Sequence, residues 1–276
     1  MEPSRVFAEG MLDGRVAIVT GGGTNLGKAA AAELARCGAS VVIAGRRADV
    51  LEATAIQLGE QCTWVAGDIR DPGDTERIVS AALDRHGRLD LLLNNAGGQY
   101  FVPAEGITSK GWRAVHRLNV DGTLAMSTAA HRLAMGPAKA GTIVNITVSP
   151  HHGFAAMAHT GSARAAVEAL TQELATSWAD DNVSVIAVAI GRFDTESLRK
   201  YPAELWRSAA TGVPLQRLGN VEEYGWLVAL LATPLSEALS GSVVTIDGGL
   251  DNWTGPWPPP ALAPGGEVPT ERRIAR

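Results

Sequence analysis

Residues 16–27 read Val16-Ala17-Ile18-Val19-Thr20-Gly21-Gly22-Gly23-Thr24-Asn25-Leu26-Gly27, a five-residue strand pattern running straight into a glycine cluster. The alanine-rich stretch from Lys28 to Arg36 follows at once and reads as a helix. Glycine permits positive φ and lets backbone approach a ligand, while a helix N-terminus offers free N–H groups and a positive dipole end. A glycine cluster alone is a weak signal; between a first strand and a helix it marks a diphosphate cradle. Gly21, Gly23, Thr24, Asn25, Leu26 and Gly27 are therefore candidate dinucleotide contacts. Asn25 stands where a third spaced glycine is usual, and asparagine is the residue best able to take a left-handed backbone in its place.

The next strand ends Ala44-Gly45-Arg46-Arg47. An acid at such a tip binds the ribose 2′-hydroxyl of NAD and would repel a 2′-phosphate. Two guanidinium groups follow Gly45 instead, and their planar forks suit phosphate. Arg46 and Arg47 thus point to NADP(H) over NAD(H); the alternative for them is a solvated pair at a helix start.

Apolar runs at 16–20, 40–45, 63–67, 89–94, 142–147, 183–190 and 243–247 alternate with helical stretches at 27–37, 49–58, 72–86, 110–135, 162–179 and 221–232. Continuous apolar strands fit a sheet covered on both faces. The alternation predicts an α/β chain: a single-domain Rossmann fold with a doubly wound, seven-stranded parallel sheet over residues 15–250. Residues 1–14 read as an N-terminal extension. Residues 251–276, rich in Pro and Gly, read as a tail that is either loosely held or anchored by Trp253 and Trp257.

The chain has 276 residues and a net charge of −5 with both signs scattered, which leaves no electrostatic footprint for nucleic acid. No apolar run reaches membrane-spanning length. Two isolated cysteines, Cys37 and Cys62, and a start without a signal-peptide core imply a reduced, cytoplasmic setting. No His/Cys/Asp/Glu spacing resembles a zinc site, and Gly-x-Ser-x-Gly is absent.

Further motifs follow in order: Asp68-Ile69 after the third strand, Asn94-Asn95-Ala96-Gly97 after the fourth, Asn119 in a long helix, Gly191 with Thr195 after the sixth strand, and Asp247-Gly248-Gly249 near the end. Together with the glycine turn they resemble the short-chain dehydrogenase/reductase family from about Leu12 to Leu250. Within it, the stretches 98–105, 109–112 and His159-Thr160-Gly161-Ser162-Ala163-Arg164-Ala165 are similar to the peroxisomal trans-2-enoyl-CoA reductases, and share less with the related 2,4-dienoyl-CoA reductases. The resemblance implies that Asp68 contacts the adenine end by its side chain and Ile69 by backbone or packing. It implies that Asn95, Ala96 and Gly97 line the cofactor ribose, that Thr195 holds the carboxamide, and that Gly191 admits the nicotinamide ring. It also implies a homotetramer or dimer joined through the helices 110–135 and 162–179.

Ordinary members carry a serine, then a tyrosine thirteen residues on and a lysine four further. Register from Arg164 onward places Thr147, Thr160 and Arg164 at these positions. The four-residue spacing keeps the last two on one helical face. Thr147 retains a hydroxyl. Thr160 cannot reach or ionise as a phenol does, and Arg164 keeps charge for ribose binding but not a transferable proton. A positioned general acid contributes roughly 10²–10⁴ in rate, so its loss weighs most against ketone reduction. An activated C=C bond passes through a delocalised enolate that hydrogen-bond donors can stabilise. Ser149 and His159 are substitute donors, with His151 and His152 in the same loop; Asn119 is either a relay or a structural residue. Ser162 reads as a helix cap rather than a nucleophile. Tyr100, Phe101, Phe154, Met157, Phe193, Tyr201 and Trp206 imply an apolar or acyl-thioester-like substrate, though surface packing gives the same composition.

The expected function is NADPH-dependent reduction of an enoyl-thioester-like alkene by an atypical catalytic set. The alternatives are a carbonyl reductase with a substitute proton donor, and a redox-inactive nucleotide-binding member of the family.

Overall fold

A computed structural model of the chain describes residues 2–153, 155–199 and 203–253, the side chains of 197 and 204–207 excepted. The expectations for Phe154, Tyr201, the Trp206 side chain, Trp257 and the tail 254–276 lie outside the described residues.

Seven strands form one parallel sheet: β1 (Val16–Thr20), β2 (Ser40–Gly45), β3 (Cys62–Ala66), β4 (Leu91–Asn94), β5 (Gly141–Val148), β6 (Val183–Ile190) and β7 (Val243–Ile246). Their spatial order is β3-β2-β1-β4-β5-β6-β7. Strand β1 pairs with β2 on one side, Val19 opposite Ile43, and with β4 on the other, Val19 opposite Leu93. The chain order reverses between these neighbours, which opens a crevice beyond the carboxyl ends of the strands.

Alternation sends Val19, Val41 and Ile43 into one core layer with Leu34 and Val228. It sends Ile18, Val42 and Leu92 into the other with Ile78, Met126 and Ile143. Central strands are buried on both faces, which is why they read as unbroken apolar runs. Strand β3 is at the edge, and its Trp64 is exposed.

The expected boundaries need three corrections. The long helix is continuous over 109–138 and contains two widened turns, Arg117–Asp121 and His131–Met135. The next helix spans Ala158–Ser177, so it begins four residues before Ser162. Ser162 is therefore no cap: its hydroxyl donates to the His159 carbonyl at 3.1 Å. Met157 opens the helix instead, its carbonyl accepting from the amides of Thr160 and Gly161 at 2.9 Å each. Short helices at Glu196–Arg199, Ala203–Thr211 and Leu235–Ala238 complete segments that carry no periodic signal long enough to read.

Residues 5–14 contain turns and bends and no helix or strand. They are attached nonetheless: Leu12 is 2% exposed within the core, and its amide donates to the Cys37 carbonyl at 2.7 Å. Cys37 and Cys62 are free and buried. Burial pushes their thiols up to about 11 and about 12, with Glu33 adding to the effect at Cys37.

Candidate functional site

A cleft of about 440 Å³ lies at the carboxyl ends of the strands. Its floor is the glycine turn: Gly21, Gly23, Thr24, Asn25, Leu26 and Gly27 all line it. Asn25 has φ +46°, the left-handed conformation that its place in the turn requires. Gly27 is dictated by proximity, because a Cβ there would lie 2.3 Å from the Gly21 carbonyl oxygen.

At one end the cleft is bounded by Arg46, Arg47, Asp68 and Ile69. Both arginines are exposed. Among the described residues neither forms a salt bridge, although the Arg46 charge is felt at Asp68. Asp68 is engaged: both its oxygens accept from the Arg70 guanidinium, one at 2.5 Å from Nη2. That hydrogen bond, with the Arg46 charge assisting, holds the Asp68 carboxyl at about 2 against the opposing effect of burial. Arg70 thus orients the Asp68 carboxylate, which still lines the cleft. Ile69 turns its side chain into the core, where a Cβ at Gly122 would meet its Cδ1 at 2.7 Å. It meets the cleft chiefly by backbone.

Asn95, Ala96 and Gly97 line the middle of the cleft with Arg164 and Thr195. Gly97 is again a matter of space: a Cβ would fall 2.3 Å from Arg164 Nη2 and 2.8 Å from Asn119 Oδ1. Asn119 sits in the first widened turn of the long helix and clamps this loop. Its Nδ2 donates to the Gly98 carbonyl at 2.9 Å and the Val115 carbonyl at 2.8 Å, and its Oδ1 accepts from the Gly98 amide. Both Nδ2 donors of its amide are thus spent on backbone carbonyls. Thr195 Oγ1 accepts from the Leu198 amide at 3.2 Å. Gly191 does not line the cleft; a Cβ there would lie 2.5 Å from that of Asp247, so the glycine admits a neighbouring strand end.

The remaining candidates lie on β5, on the helix Ala158–Ser177 that carries Arg164, and in the loop between them. Arg164 is 7% exposed, and its Nη1 donates to the Ile146 carbonyl at 2.6 Å while Nε has no partner. Burial lowers its guanidinium to about 10, which leaves it charged at neutral pH. Thr160, one turn earlier, and Thr147, next to Ile146 in β5, are fully buried. Neither hydroxyl has a hydrogen-bond partner. His159 is also fully buried, neither ring nitrogen is bonded, and the Tyr100 ring covers it at 4.4 Å. Burial, and secondarily the charge of His116, lower its pKa below the usual imidazole value, so the ring is neutral at pH 7.

Ser149 is buried and donates to the Asp247 carboxylate, so it is less available as a substrate donor than its position implied. His151 is drawn to Asp251 at 2.5 Å and Glu168 at 3.0 Å, and His152 lies 3.7 Å from Asp251. Both histidines belong to this ionic group and not to the residues that line the cleft. Of the apolar set, Tyr100 and Phe101 are exposed, whereas Met157 and Phe193 are core residues. Sequence reasoning passed over Tyr224, whose hydroxyl donates to Asn95 Oδ1 at 3.1 Å. No sequence signal links two residues 129 positions apart.

A family model described as enoyl-(acyl carrier protein) reductase matches residues 22–251. The chain belongs to the short-chain dehydrogenase/reductase family. Among members of this family, a peroxisomal 2,4-dienoyl-CoA reductase of Pongo abelii is 34% identical over 88% of this chain and 86% of its own. A probable 2,4-dienoyl-CoA reductase of Bacillus subtilis is 33% identical over 90% of this chain and all of its own length. A solved citronellol catabolism dehydrogenase of Pseudomonas aeruginosa superposes with a TM-score of 0.80 at 34% identity, covering 89% of this chain and 98% of its own. The two reductases bear the dienoyl name, to which the stretches 98–105 and 159–165 gave the lesser share. As a short-chain dehydrogenase/reductase the chain is an oxidoreductase that uses a nicotinamide nucleotide. Among the described residues no helix is long and apolar enough to cross a membrane, and no cluster of three His, Cys, Asp or Glu is placed to hold a metal.

Proposed function

We propose that the chain is an NADP(H)-dependent reductase of an electron-poor C=C bond conjugated to a carbonyl, of enoyl-thioester type, working with an altered catalytic set. The carrying observation is a group of buried, unpartnered polar atoms, Thr147 Oγ1, Thr160 Oγ1 and both His159 nitrogens, on the same strand and helix that bring Ile146 and Arg164 to the cleft wall. A buried donor left unbonded costs about 1–3 kcal/mol, so several together favour a ligand oxygen that satisfies them.

The residues present fit the nucleotide. The glycine turn has no space for a Cβ at Gly22 or Gly27, and the exposed Arg46 and Arg47 present positive charge for a 2′-phosphate. Arg164 would grip ribose hydroxyls. Bound there, the reduced nicotinamide supplies hydride. Thr147, Thr160 and the neutral His159 would hold the substrate oxygen, donating hydrogen bonds as enolate charge develops. The α-carbon would then take its proton from water. Threonine in place of a phenol is a poor acid for quenching an alkoxide, which favours this reading over ketone reduction. The names of the curated relatives support it. We assign the protein to the reducing cytoplasm, supported by two buried free thiols. We assign it to a homo-oligomer, supported by exposed Trp112 and Leu124 on the long helix.

Purified protein mixed with NADPH or NADH and a panel of 2-enoyl thioesters, 2,4-dienoyl thioesters and ketones tests this directly. Thioester-dependent oxidation of NADPH is expected, with ketones slow. Tight NADPH binding with no consumption across the panel would sink the reductase reading. In the double variant Thr160→Tyr with Arg164→Lys, ketone reduction should rise by roughly 10²-fold or more.

A further inference from the structure

We propose, resting on the dinucleotide reading of the cleft, that Tyr224 is a positioning residue for nucleotide binding, its hydroxyl fixing the Asn95 amide beneath the glycine turn. Tyr224 belongs to the helix Val221–Leu231 and is fully buried. The seat of that helix is tight: a Cβ at the adjoining Gly225 would lie 3.0 Å from the Ala29 carbonyl oxygen of the first helix. The ring packs edge-on against Phe193 at 6.2 Å, a contact that phenylalanine would make equally well. The hydroxyl is therefore surplus to packing, and its bond is to Asn95 Oδ1.

Asn95 passes this constraint on. Its Nδ2 donates to the Thr20 carbonyl at 2.9 Å and reaches the Gly21 carbonyl at 3.5 Å. The amides of Asn95 and Ala96 both donate to Thr20 Oγ1 at 3.0 Å. The amide lies directly against the turn, since a Cβ at Gly27 would meet Asn95 Nδ2 at 2.6 Å. A side-chain amide has one acceptor edge and one donor edge. With the acceptor edge held by Tyr224, the donor edge must face the carbonyls of Thr20 and Gly21, and those oxygens are withheld from an anionic diphosphate. One phenol thus ties the glycine turn, the Asn95–Gly97 loop and a helix from the far end of the chain into a single rigid cradle.

The test compares Tyr224→Phe, which removes the hydroxyl, with Tyr224→Leu, which also removes packing. NADPH affinity is read by fluorescence titration, and local opening by hydrogen exchange of the nucleotide-free protein. Tyr224→Phe should weaken NADPH binding and raise its KM roughly tenfold, the worth of one hydrogen bond. The kcat at saturating NADPH and the KM for the thioester should hold within about twofold, and exchange should quicken over residues 20–27 while 221–231 stays protected. Wild-type affinity and unchanged exchange in Tyr224→Phe would overturn the assignment. So would a loss of affinity that merely tracks a global fall in thermal stability, as expected of Tyr224→Leu. If the parent protein binds NADPH but reduces no thioester, only the proposed reaction fails. If it binds neither NADPH nor NADH, both fall.

Discussion

Asn25 adopts φ +46° in the middle of the glycine turn, and the residue type explains why the turn survives without a third spaced glycine. Asparagine tolerates this region, whereas a β-branched residue meets its own carbonyl. Asn25→Val should cost about 1–2 kcal/mol, measured by urea unfolding. This conformation was legible because glycine-like behaviour is a local property. The positions of Thr147, Thr160 and Arg164 were legible only through the family resemblance, whose register runs back from Arg164. Their unpartnered state was not, because an unmade hydrogen bond depends on everything packed around it. Tyr224 was silent altogether, its meaning residing in a partner from another crossover.

At the scale of elements, the loop between β5 and the helix Ala158–Ser177 is pinned to the segment after β7. Ser149 donates to Asp247, and His151 is held by Asp251 and Glu168, with His152 close to Asp251. Burial alone would lower the His151 pKa, yet the bonds and charges of Asp251 and Glu168 raise it above its ordinary value. A raised imidazole stabilises the fold fully below the unfolded value of about 6.5 and loses that contribution as pH climbs through the folded one. The difference in melting temperature between wild type and His151→Gln should accordingly be largest in mild acid and shrink above neutrality. A difference independent of pH would remove the latch. The start of the following helix was misread because Gly161-Ser162 resembles a helix opening, whereas the Met157 carbonyl starts it earlier and carries His159 and Thr160 into the first turn.

For the molecule as a whole, the sheet was the most legible feature, since strands covered on both faces leave unbroken apolar runs such as 183–190. The strand order was not read from the sequence; the structure supplies it, with β1 at the reversal between β2 and β4. The N-terminal segment was less legible, because a single anchoring residue makes no periodic pattern. Leu12 is nevertheless part of the core. Leu12→Ala should destabilise by about 2–5 kcal/mol in urea unfolding, and a cost under about 0.5 kcal/mol would mark residues 1–14 as a detachable extension. The site likewise draws on residues 20–27, 95–98, 164, 195 and 224, so its completion depends on the full sheet being assembled.

The two thiols carry a practical corollary. Cys37 and Cys62 are shut away from solvent, and with Cys37 raised to about 11 only about one molecule in ten thousand would expose a thiolate there at neutral pH, fewer still at Cys62. Maleimides and similar electrophiles should label the folded chain slowly, which a thiol titration before and after unfolding checks. A single exposed cysteine engineered near the cleft mouth could therefore take a fluorophore or spin label selectively, with both native residues left in place.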